Sequence, residues 1–513
     1  MGKKNKKKKK SPLPVTEKRG YDAARRTRAT FDWKTSSASA DSELTDLPAL
    51  RNRSRDLVRN NPYIKRAIYT TIPDNVVGAS GIRFQSQVKR KRGDRLDDAI
   101  NTQIEEAWQE WQEAAYCHTA GKLTFAGIQR LAIKSAAESG EILFRLVRRS
   151  FAGSSVSLAV EVLEADQLCE THTIGNYGDN VVKMGVEFDE WLRPVAYHCY
   201  PYHPGDTRFR SATRNARLVR IPADEVIHFF ITDRPGQSRG VPWLHAAISR
   251  MRQLGEFEEA KIMQARVQGL VAATVETGDP ELIGSGDLEN KEGLIEDLEP
   301  GIIKYLAPGE RFQGFAPTSP NDNGKEFINS LLRSAAISLG PSYEGFTGDY
   351  SQVNFSSART AKLQEQDCYR YLQRWVIDDF LTPLYKIWLD QAVLSGRVKI
   401  DDYFQNRTFY CKPKFTPRGW SYVNPQQEAA ANLLSVQAGF TTLTDIAAEN
   451  GRDLEEMVKT RARELELFRQ YGIPLDSTPA PVSEEPVIVG EKAWKQEMLI
   501  RQYRRNQALW NRE

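Results

Sequence analysis

Residues able to perform phosphate chemistry occur in this chain without the spacing that such chemistry requires. A nucleotide-binding loop has a glycine, four variable residues and then Gly-Lys-Ser or Gly-Lys-Thr, because its backbone N–H groups surround the phosphates while the lysine reaches the outermost ones. The nearest string is Ala120-Gly121-Lys122-Leu123, which has Tyr116 where the first glycine belongs and leucine where the hydroxyl residue belongs. We therefore expect no ATP-hydrolysing motor in this chain.

Candidate metal ligands are equally incomplete. The string His198-Cys199-Tyr200-Pro201-Tyr202-His203 contains two residue types that bind zinc, but adjacent residues of a strand point to opposite faces, and no second pair of ligands lies close by in the sequence. Residues 276–300 contain nine acids and one base. Carboxylates bind Mg²⁺ in nucleases, although acidic stretches more often form solvated surface. We predict no metal, no cofactor and no enzymatic activity.

The elements that must position such residues belong to a soluble chain of several domains. Its 513 residues exceed what one small core needs. A content of 40% hydrophobic and 27% charged residues is typical of buried cores beneath a polar surface. No apolar run reaches the roughly 18 residues of a bilayer span, so we expect no membrane contact. Five scattered cysteines without CxxC spacing predict reduced thiols in an intracellular protein.

Charge is distributed unevenly along the chain. Residues 1–30 carry twelve lysines and arginines and two acids, a net charge of +10. The whole chain has a net charge of +4, so residues 31–513 carry −6. A lysine run cannot bury apolar area, and we predict a basic disordered tail over residues 1–42. Two interpretations stay open, namely a solubilising tail and an electrostatic contact with nucleic acid or an acidic partner.

Hydrophobic periodicity predicts an α+β first half. Apolar residues at helical spacing indicate helices over residues 43–72, 98–116 and 124–138. Alternating or apolar stretches indicate strands over residues 82–87, 141–148, 155–164 and 186–200. Asp189-Glu190-Trp191 is expected to form a hairpin turn within the last of these regions. Trp108 and Trp111 lie on one apolar helical stripe, so we expect them to pack in the core.

The second half is predicted to be mainly helical. The expected helices span residues 242–275, 325–339, 357–388 and 424–471, with breaks in the last at Gly439 and Gly451. A strand is expected at 301–306. Residues 340–357 are rich in Gly, Ser, Tyr and Phe, and their only charged residues are Glu344 and Asp349. Residues 477–513 are predicted to be a linker and a basic C-terminal tail.

Five stretches, in order along the chain, resemble the lambda-type family of phage portal proteins. They are Arg53–Pro62 with Asn75–Ile82, Gly185–Tyr197, Arg220–Phe230 with Arg234–Trp243, Ser351–Arg359, and Ala438–Thr444 with Gly451–Glu456. The third is the most specific, since Arg-Ile-Pro-Ala-Asp-Glu-Val-Ile-His-Phe-Phe is followed closely by Arg-Pro-Gly-Gln-Ser-Arg-Gly-Val-Pro-Trp. The resemblance covers nearly all of residues 45–470.

This resemblance implies an α+β portal fold, in a ring that typically has twelve subunits around a central channel for double-stranded DNA. The regions would be the wing at 43–243, stem helices at 244–275 and 325–339, the acidic clip at 276–324, the tunnel loop at 340–357, the tunnel helix and rest of the wing at 358–423, and the helical crown at 424–476. The implied role is genome packaging, head–tail joining and genome ejection at one capsid vertex, after assembly in the host cytoplasm. The implied partners are the terminase large subunit, a head–tail adaptor, and capsid and scaffold proteins.

The same mapping implies two sets of site residues. The tunnel loop and the start of its helix would face DNA, which they would contact non-specifically, through Tyr343, Phe346, Tyr350, Gln352, Asn354, Arg359 and Lys362. The clip would dock terminase or adaptor through Asp287, Glu289, Glu292, Glu296 and Asp297. A lysine-poor passage lets DNA slide, because basic side chains anchor phosphates strongly.

Two other classes of protein remain alternatives. One is a DNA-acting, nuclease-like enzyme, which the incomplete catalytic constellations disfavour. The other is a non-viral scaffold that binds nucleic acid through its basic tail. Both predict a species of low oligomer order, whereas the portal interpretation predicts a large closed ring.

Overall fold

The computed structural model describes residues 27–28, 30–91, 95–206, 217–270, 273–277, 310–314, 324–351, 353–420 and 424–471. It divides into two units, residues 1–418 and 419–513. The basic tail up to residue 26, the strand expected at 301–306 and the C-terminal tail lie outside the described residues. Among the described helices, none has the length and apolarity of a segment that crosses a bilayer.

The first unit contains twelve helices and twelve strands among its described residues. The helices are α1 Leu47–Asn60, α2 Pro62–Arg66, α3 Ile72–Val76, α4 Asp98–Trp111, α5 Ala114–Cys117, α6 Phe125–Ser139, α7 Ile248–Leu270, α8 Gly324–Leu339, α9 Tyr343–Thr347, α10 Phe355–Val376, α11 Thr382–Leu394 and α12 Arg407–Tyr410. The strands are β1 Arg83–Ser86, β2 Glu141–Val147, β3 Ala159–Glu164, β4 Ile174–Tyr177, β5 Asn180–Lys183, β6 Val186–Phe188, β7 Pro194–Cys199, β8 Val219–Pro222, β9 Val226–Phe230, β10 Ala273–Thr277, β11 Glu310–Gly314 and β12 Pro413–Thr416. Short π-helical turns join α2 to α3 and α10 to α11.

The strands form four antiparallel sheets. Three strands have the order β3-β2-β9, five have the order β4-β5-β6-β7-β8, and β1-β12 and β10-β11 are two-stranded. The turn between β6 and β7 is the predicted hairpin turn, and the Asp189 carboxylate accepts hydrogen bonds from the backbone N–H groups of Trp191 and Arg193 at 2.9 and 2.8 Å. The α+β prediction is therefore confirmed, although β4, β5, β8 and β9 were not anticipated as separate strands.

One predicted helix is too long. The helix expected over 242–275 ends at Leu270, and residues 273–277 form β10, which pairs with β11. Thr274, Val275 and Thr277 are β-branched, and such side chains lose rotamer freedom in a helix but pack well on a pleated strand. A second difference is the break between α4 and α5 at residues 112–113, inside the helix expected over 98–116.

An aromatic core joins the two ends of the first unit. Trp108 and Trp111 are buried as predicted, and Trp108 meets Trp388 edge-on with ring centroids 4.8 Å apart. Further along, Phe229 stacks on Trp375 at 3.8 Å. These contacts fasten α4 and the β3-β2-β9 sheet to α10 and α11, which come more than 140 residues later in the chain. Aromatic pairs of this kind contribute about 0.5–1.5 kcal/mol beyond their buried area.

A buried carboxylate, that of Glu141, connects several elements of the first unit. Glu141, at the start of β2, accepts hydrogen bonds from Arg239 Nε at 2.8 Å, from the Gly240 backbone N–H at 2.8 Å and from His228 Nε2 at 2.9 Å. Arg51 of α1 approaches the same carboxylate at 3.3 Å and also contacts Glu170. Burial favours the neutral carboxyl, yet Arg239 and His228 hold the pKa of Glu141 well below its usual value.

Close backbone contact explains the glycine that follows Arg239. A Cβ at Gly240 would lie 2.2 Å from the carbonyl oxygen of Gly140, nearer than any side chain permits. The segment Arg234–Trp243 therefore crosses the start of β2 in direct backbone contact, which brings Arg239 to Glu141. This packing gives a structural reason for the Ser-Arg-Gly string at 238–240.

The second unit consists of three described helices, α13 Pro425–Gln437, α14 Leu443–Glu449 and α15 Leu454–Gln470. Each begins at a side-chain cap, since Asn424, Thr442 and Asp453 accept hydrogen bonds from backbone N–H groups of the first turn. The breaks predicted at Gly439 and Gly451 are confirmed. The assignment of this unit as the crown stays a prediction.

Replacing Arg239 by alanine is expected to lower the free energy of unfolding by about 3–5 kcal/mol, because Glu141 would remain buried without its main partner. Urea unfolding followed by tryptophan fluorescence measures this loss. The control is Arg234→Ala, whose ion pair with Glu43 at 2.6 Å is exposed and contributes less than about 1 kcal/mol. Equal losses in the two variants would contradict the importance assigned to the buried pair.

Candidate nucleic-acid interface

The stretch expected to face DNA is more structured than a loop. It lies between the end of α8 at Leu339 and the start of α10 at Phe355, and the short helix α9 occupies its first half. The predicted tunnel loop, 340–357, therefore includes a helix and the first turn of α10. Two polar caps define these elements: the Ser342 hydroxyl accepts from the Gly345 N–H at 3.0 Å, and the Asn354 side chain accepts from the Ser357 N–H at 2.8 Å.

Phe346 does not face the surface, so its assignment as a DNA-facing residue is wrong in this structure. Its exposed fraction is 0%, and its ring stacks against Tyr63 of α2 at 6.3 Å. α9 packs on α2 and on the π turn that follows it, where Arg66 donates to the Thr347 carbonyl at 3.2 Å. An apolar ring on a short helix lowers the free energy by entering this contact rather than remaining in water.

Tyr343 lies on the opposite junction, between α9 and α8. Its hydroxyl donates to the Asn329 side chain at 3.0 Å, and the Arg333 guanidinium sits 5.3 Å from the centre of its ring. The residue is half-buried. Both polar and aromatic parts of Tyr343 are thus used in holding α9 against α8.

The turn after α9 presents Tyr350, whose exposed fraction is 62%. Gly348 has a φ of +77°, a left-handed conformation that glycine adopts without steric cost, and a Cβ there would collide with Arg66. Asp349 accepts from the Ser351 N–H at 3.0 Å, and hydrogen bonds from Ser351 lower the pKa of Asp349. The tip that carries Tyr350 is therefore fixed by local hydrogen bonds.

The remaining residues of this set lie at the start of α10. Asn354 is exposed but caps the helix, Lys362 is exposed, and Arg359 is half-buried. Within the described part of the chain Lys362 makes no ion pair, whereas Arg359 has an interaction partner. Gln352 lies outside the described residues.

Charge is sparse along this stretch. Residues 340–357 contain the two acids Glu344 and Asp349 and no base, and the first bases after them are Arg359 and Lys362. Between α8 and the first two turns of α10, the chain thus carries an exposed aromatic ring, polar groups and these two bases. Such groups can contact a phosphate backbone without binding it tightly.

The residues assigned to the clip all lie outside the described residues: Asp287, Glu289, Glu292, Glu296 and Asp297. What is described is the base of that insertion, where β10 and β11 pair from Ala273 with Gly314 to Thr277 with Glu310. The two ends of the insertion are therefore held side by side.

The candidate zinc ligands at 198–203 lie in different environments. His198 lies 3.2 Å from Glu187, and Cys199 belongs to an apolar cluster with Leu168 and Tyr197. His203 meets Glu164 and Asp166, and these three groups are close enough to share an ion. Their carboxylates already pair with Arg55, however. We assign no metal there.

Sequence reasoning missed the residues that support α9 and the turn that follows it. Tyr63 and Arg66 lie on α2, more than 280 residues before Phe346 and Thr347. Nothing in the local pattern around residue 346 indicates such distant partners. The Asn-Pro pair at 61–62, which starts α2, was the available signal that a helix begins there.

Comparisons with known proteins agree with the resemblance. The model of the family described as "Phage portal protein, lambda family" matches residues 26–373. The probable portal protein of Halomonas phage phiHAP-1 is 30% identical over 463 residues, which cover 89% of this chain and 88% of that protein. Portal protein B of Escherichia phage lambda is 22% identical over 473 residues, which cover 86% and 88%.

Two solved structures from gene transfer agent (GTA) particles are also similar. A chain in the neck of an empty GTA particle has a TM-score of 0.43 at 14% identity, over 80% of this chain and 94% of that one. A chain in the virion of a native GTA particle has a TM-score of 0.44 at 12% identity, over 79% and 93%.

The family model spans well over half of the chain, and a relative with 30% identity spans nearly all of it. The chain therefore belongs to the lambda family of phage portal proteins, whose subunits form the ring-shaped DNA channel at the portal vertex of the virion.

Proposed function

We propose that twelve copies of this chain form the ring, and that the stretch between α8 and α10 lines the narrow part of its channel. The observation that carries this proposal is the exposed Tyr350 in a stretch, residues 340–357, that contains two acids and no base. DNA passes through a portal in both directions, so a channel surface has to touch the duplex without holding it.

Electrostatics favours this stretch over a basic one. Each phosphate neutralised by lysine or arginine releases a counterion and adds strongly to affinity, with a slope of about −0.9 in log K against log salt. A ring multiplies any such contact by its number of subunits. The tyrosine and amide groups at residues 350–354 carry no positive charge, so they do not add to the affinity for phosphates in this way. Lys362 offers one solvated contact to phosphate per subunit.

Rigidity supports the same role. α9 is held on one side by the burial of Phe346 and on the other by the Tyr343–Asn329 hydrogen bond. Glu365 of α10 accepts from the Ser342 hydroxyl at 3.1 Å and from the Tyr369 hydroxyl at 2.7 Å. A turn braced on three helices keeps the channel diameter constant while DNA moves.

The acidic insertion after β10 is the proposed docking surface for partners. Residues 276–300 have a net charge of −8, and the β10–β11 pair holds both ends of the insertion together. We assign this clip to the terminase large subunit during packaging and to a head–tail adaptor afterwards. Since the chain has no phosphate-binding loop, the ATPase belongs to the partner. Capsid and scaffold proteins would join the ring in the host cytoplasm.

Substituting Tyr350 by alanine is expected to leave ring formation and stability nearly unchanged, within about 0.5 kcal/mol, because the side chain is exposed. Packaged, nuclease-protected DNA should fall severalfold. By contrast, Phe346→Ala should lower the free energy of unfolding by about 3–5 kcal/mol because it leaves a cavity, and it should lower the yield of rings.

Native mass measurement gives the subunit number and the yield of rings. The matched control is Tyr177→Ala, which removes another exposed tyrosine. Wild-type packaging by the Tyr350 variant would refute the channel assignment.

Reversing the clip charges at Glu289, Glu292 and Glu296 to lysine is expected to weaken terminase binding by at least about tenfold, since opposite charges across an interface would become like charges. Affinity is measured by surface plasmon resonance on assembled rings. The control reverses three exposed acids elsewhere, Glu113, Glu190 and Asp233. An affinity equal to that of the control would exclude the clip as the docking surface.

A further inference from the structure

A basic surface lies on the β1–β12 ribbon, far from the channel residues. Cross-strand pairing places Phe84 opposite Phe415 and Gln85 opposite Lys414. Directly opposed residues share a face, so Phe84 and Phe415 form one face and pack on the aromatic core, where Phe84 lies 4.7 Å from Tyr385. The other face carries Arg83, Gln85 and Lys414.

The same surface continues beyond both strands. The Gln87 N–H donates to the Lys412 carbonyl at 2.9 Å, which adds one more rung to the ribbon. β1 then runs into a hairpin, in which Asp97 N–H donates to the Val88 carbonyl and Arg90 N–H donates to the Arg95 carbonyl, each at 2.9 Å. Exposed bases of the ribbon and hairpin are Arg83, Lys89, Arg90, Lys91, Arg95 and Lys412.

Among the described residues, three of these bases have no acidic partner and a fourth has one. Lys91 pairs with Asp402 at 2.9 Å. Over the described residues, Arg90, Arg95 and Lys412 make no ion pair. Residues 31–513 have a net charge of −6. The positive surface is therefore local and does not reflect an excess of bases in this part of the chain.

We propose that this basic ribbon is a second contact for double-stranded DNA, outside the channel, made to phosphates and without reading the base sequence. Same-face residues of a strand repeat at about 6.6 Å, close to twice the ~3.4 Å axial spacing of phosphates on one DNA strand. Arginine, lysine and glutamine are all donors to phosphate oxygens.

An acidic protein partner fits this surface less well. The centre of a protein–protein interface is enriched in aromatic and apolar anchors. On the face of the β1–β12 ribbon opposite the aromatic rings, Arg83 is exposed, Gln85 and Lys414 are half-buried and Thr416 is buried. None of these residues supplies such an anchor, whereas Phe84 and Phe415 pack against Tyr385 of the core. Charge without an apolar centre suits a polyanion such as DNA.

The basic ribbon lies far from the stretch between α8 and α10 that we propose to line the channel. The ribbon packs on Tyr385 of α11, which is 26 residues beyond Arg359 along the nearly continuous α10–α11 helix. At about 1.5 Å per residue this corresponds to roughly 39 Å. A duplex held by the ribbon is therefore a different stretch of DNA from one that touches Tyr350.

The test uses full-length rings and relaxed, covalently closed circular DNA, which cannot enter a closed ring and so reports only outer contacts. The triple variant Arg90→Gln, Arg95→Gln and Lys412→Gln is compared with a matched triple variant at the exposed residues Lys34, Lys122 and Arg217, each also changed to glutamine. For the ribbon variant, we expect affinity at about 0.1 M salt to fall at least tenfold. The log–log salt slope should become shallower by about 2–3.

The result that overturns the proposal is a ribbon variant that binds circular DNA with the affinity and salt slope of the control variant, because the retained binding would then come from other bases such as the N-terminal tail. Native mass measurement shows whether both variants form intact rings. Packaging of linear DNA tests the channel assignment independently, so the two proposals can fail separately.

Discussion

The arrangement of α1, β2, β9 and the segment Arg234–Trp243 depends on one buried carboxylate. Glu141 begins the central strand β2, and it is reached by Arg239 from a later segment, by His228 from the neighbouring strand and by Arg51 from the first helix. A buried charge is tolerated only when it is paired and hydrogen-bonded. The carboxylate therefore requires all three elements to arrive in one arrangement. Because the folded pKa of Glu141 lies below its ordinary value, this stabilisation is present at neutral pH and is lost only as pH falls through the folded pKa.

The aromatic core connects that arrangement to the stretch between α8 and α10. Phe229, the last residue but one of β9, stacks on Trp375 of α10. α10 begins at the Asn354 cap, four residues after Tyr350. α2 braces the same stretch from behind through Tyr63 and Arg66. Both ends of the chain's first unit thus converge on one short turn, so that its position is set by packing over hundreds of residues rather than by its own composition.

Local signals predicted the elements whose causes are local. The helix start at Asn424-Pro425 and the hairpin turn at Asp189 follow from cap and turn residues in the local sequence. Burial of Phe346 and the end of α7 at Leu270 could not be predicted in this way. Phe346 is buried because Tyr63 lies against it, and residues 273–277 form a strand because 310–314 pair with them. Both partners are distant in sequence, so tertiary contacts rather than local propensity determine the structure at these two positions.

The two proposed DNA contacts of this portal subunit differ in charge because they meet different mechanical demands. DNA that moves through a ring must not be bound at each subunit, and the proposed channel surface, residues 340–357, accordingly carries Tyr350, two acids and no base. DNA outside the channel does not have to slide, so the proposed basic ribbon, which packs on Tyr385 of α11, can bind its phosphates without opposing translocation. One chain can meet both demands only if the two surfaces lie far apart compared with the Debye length of about 8 Å at physiological salt. The helix of some 39 Å between them satisfies that condition.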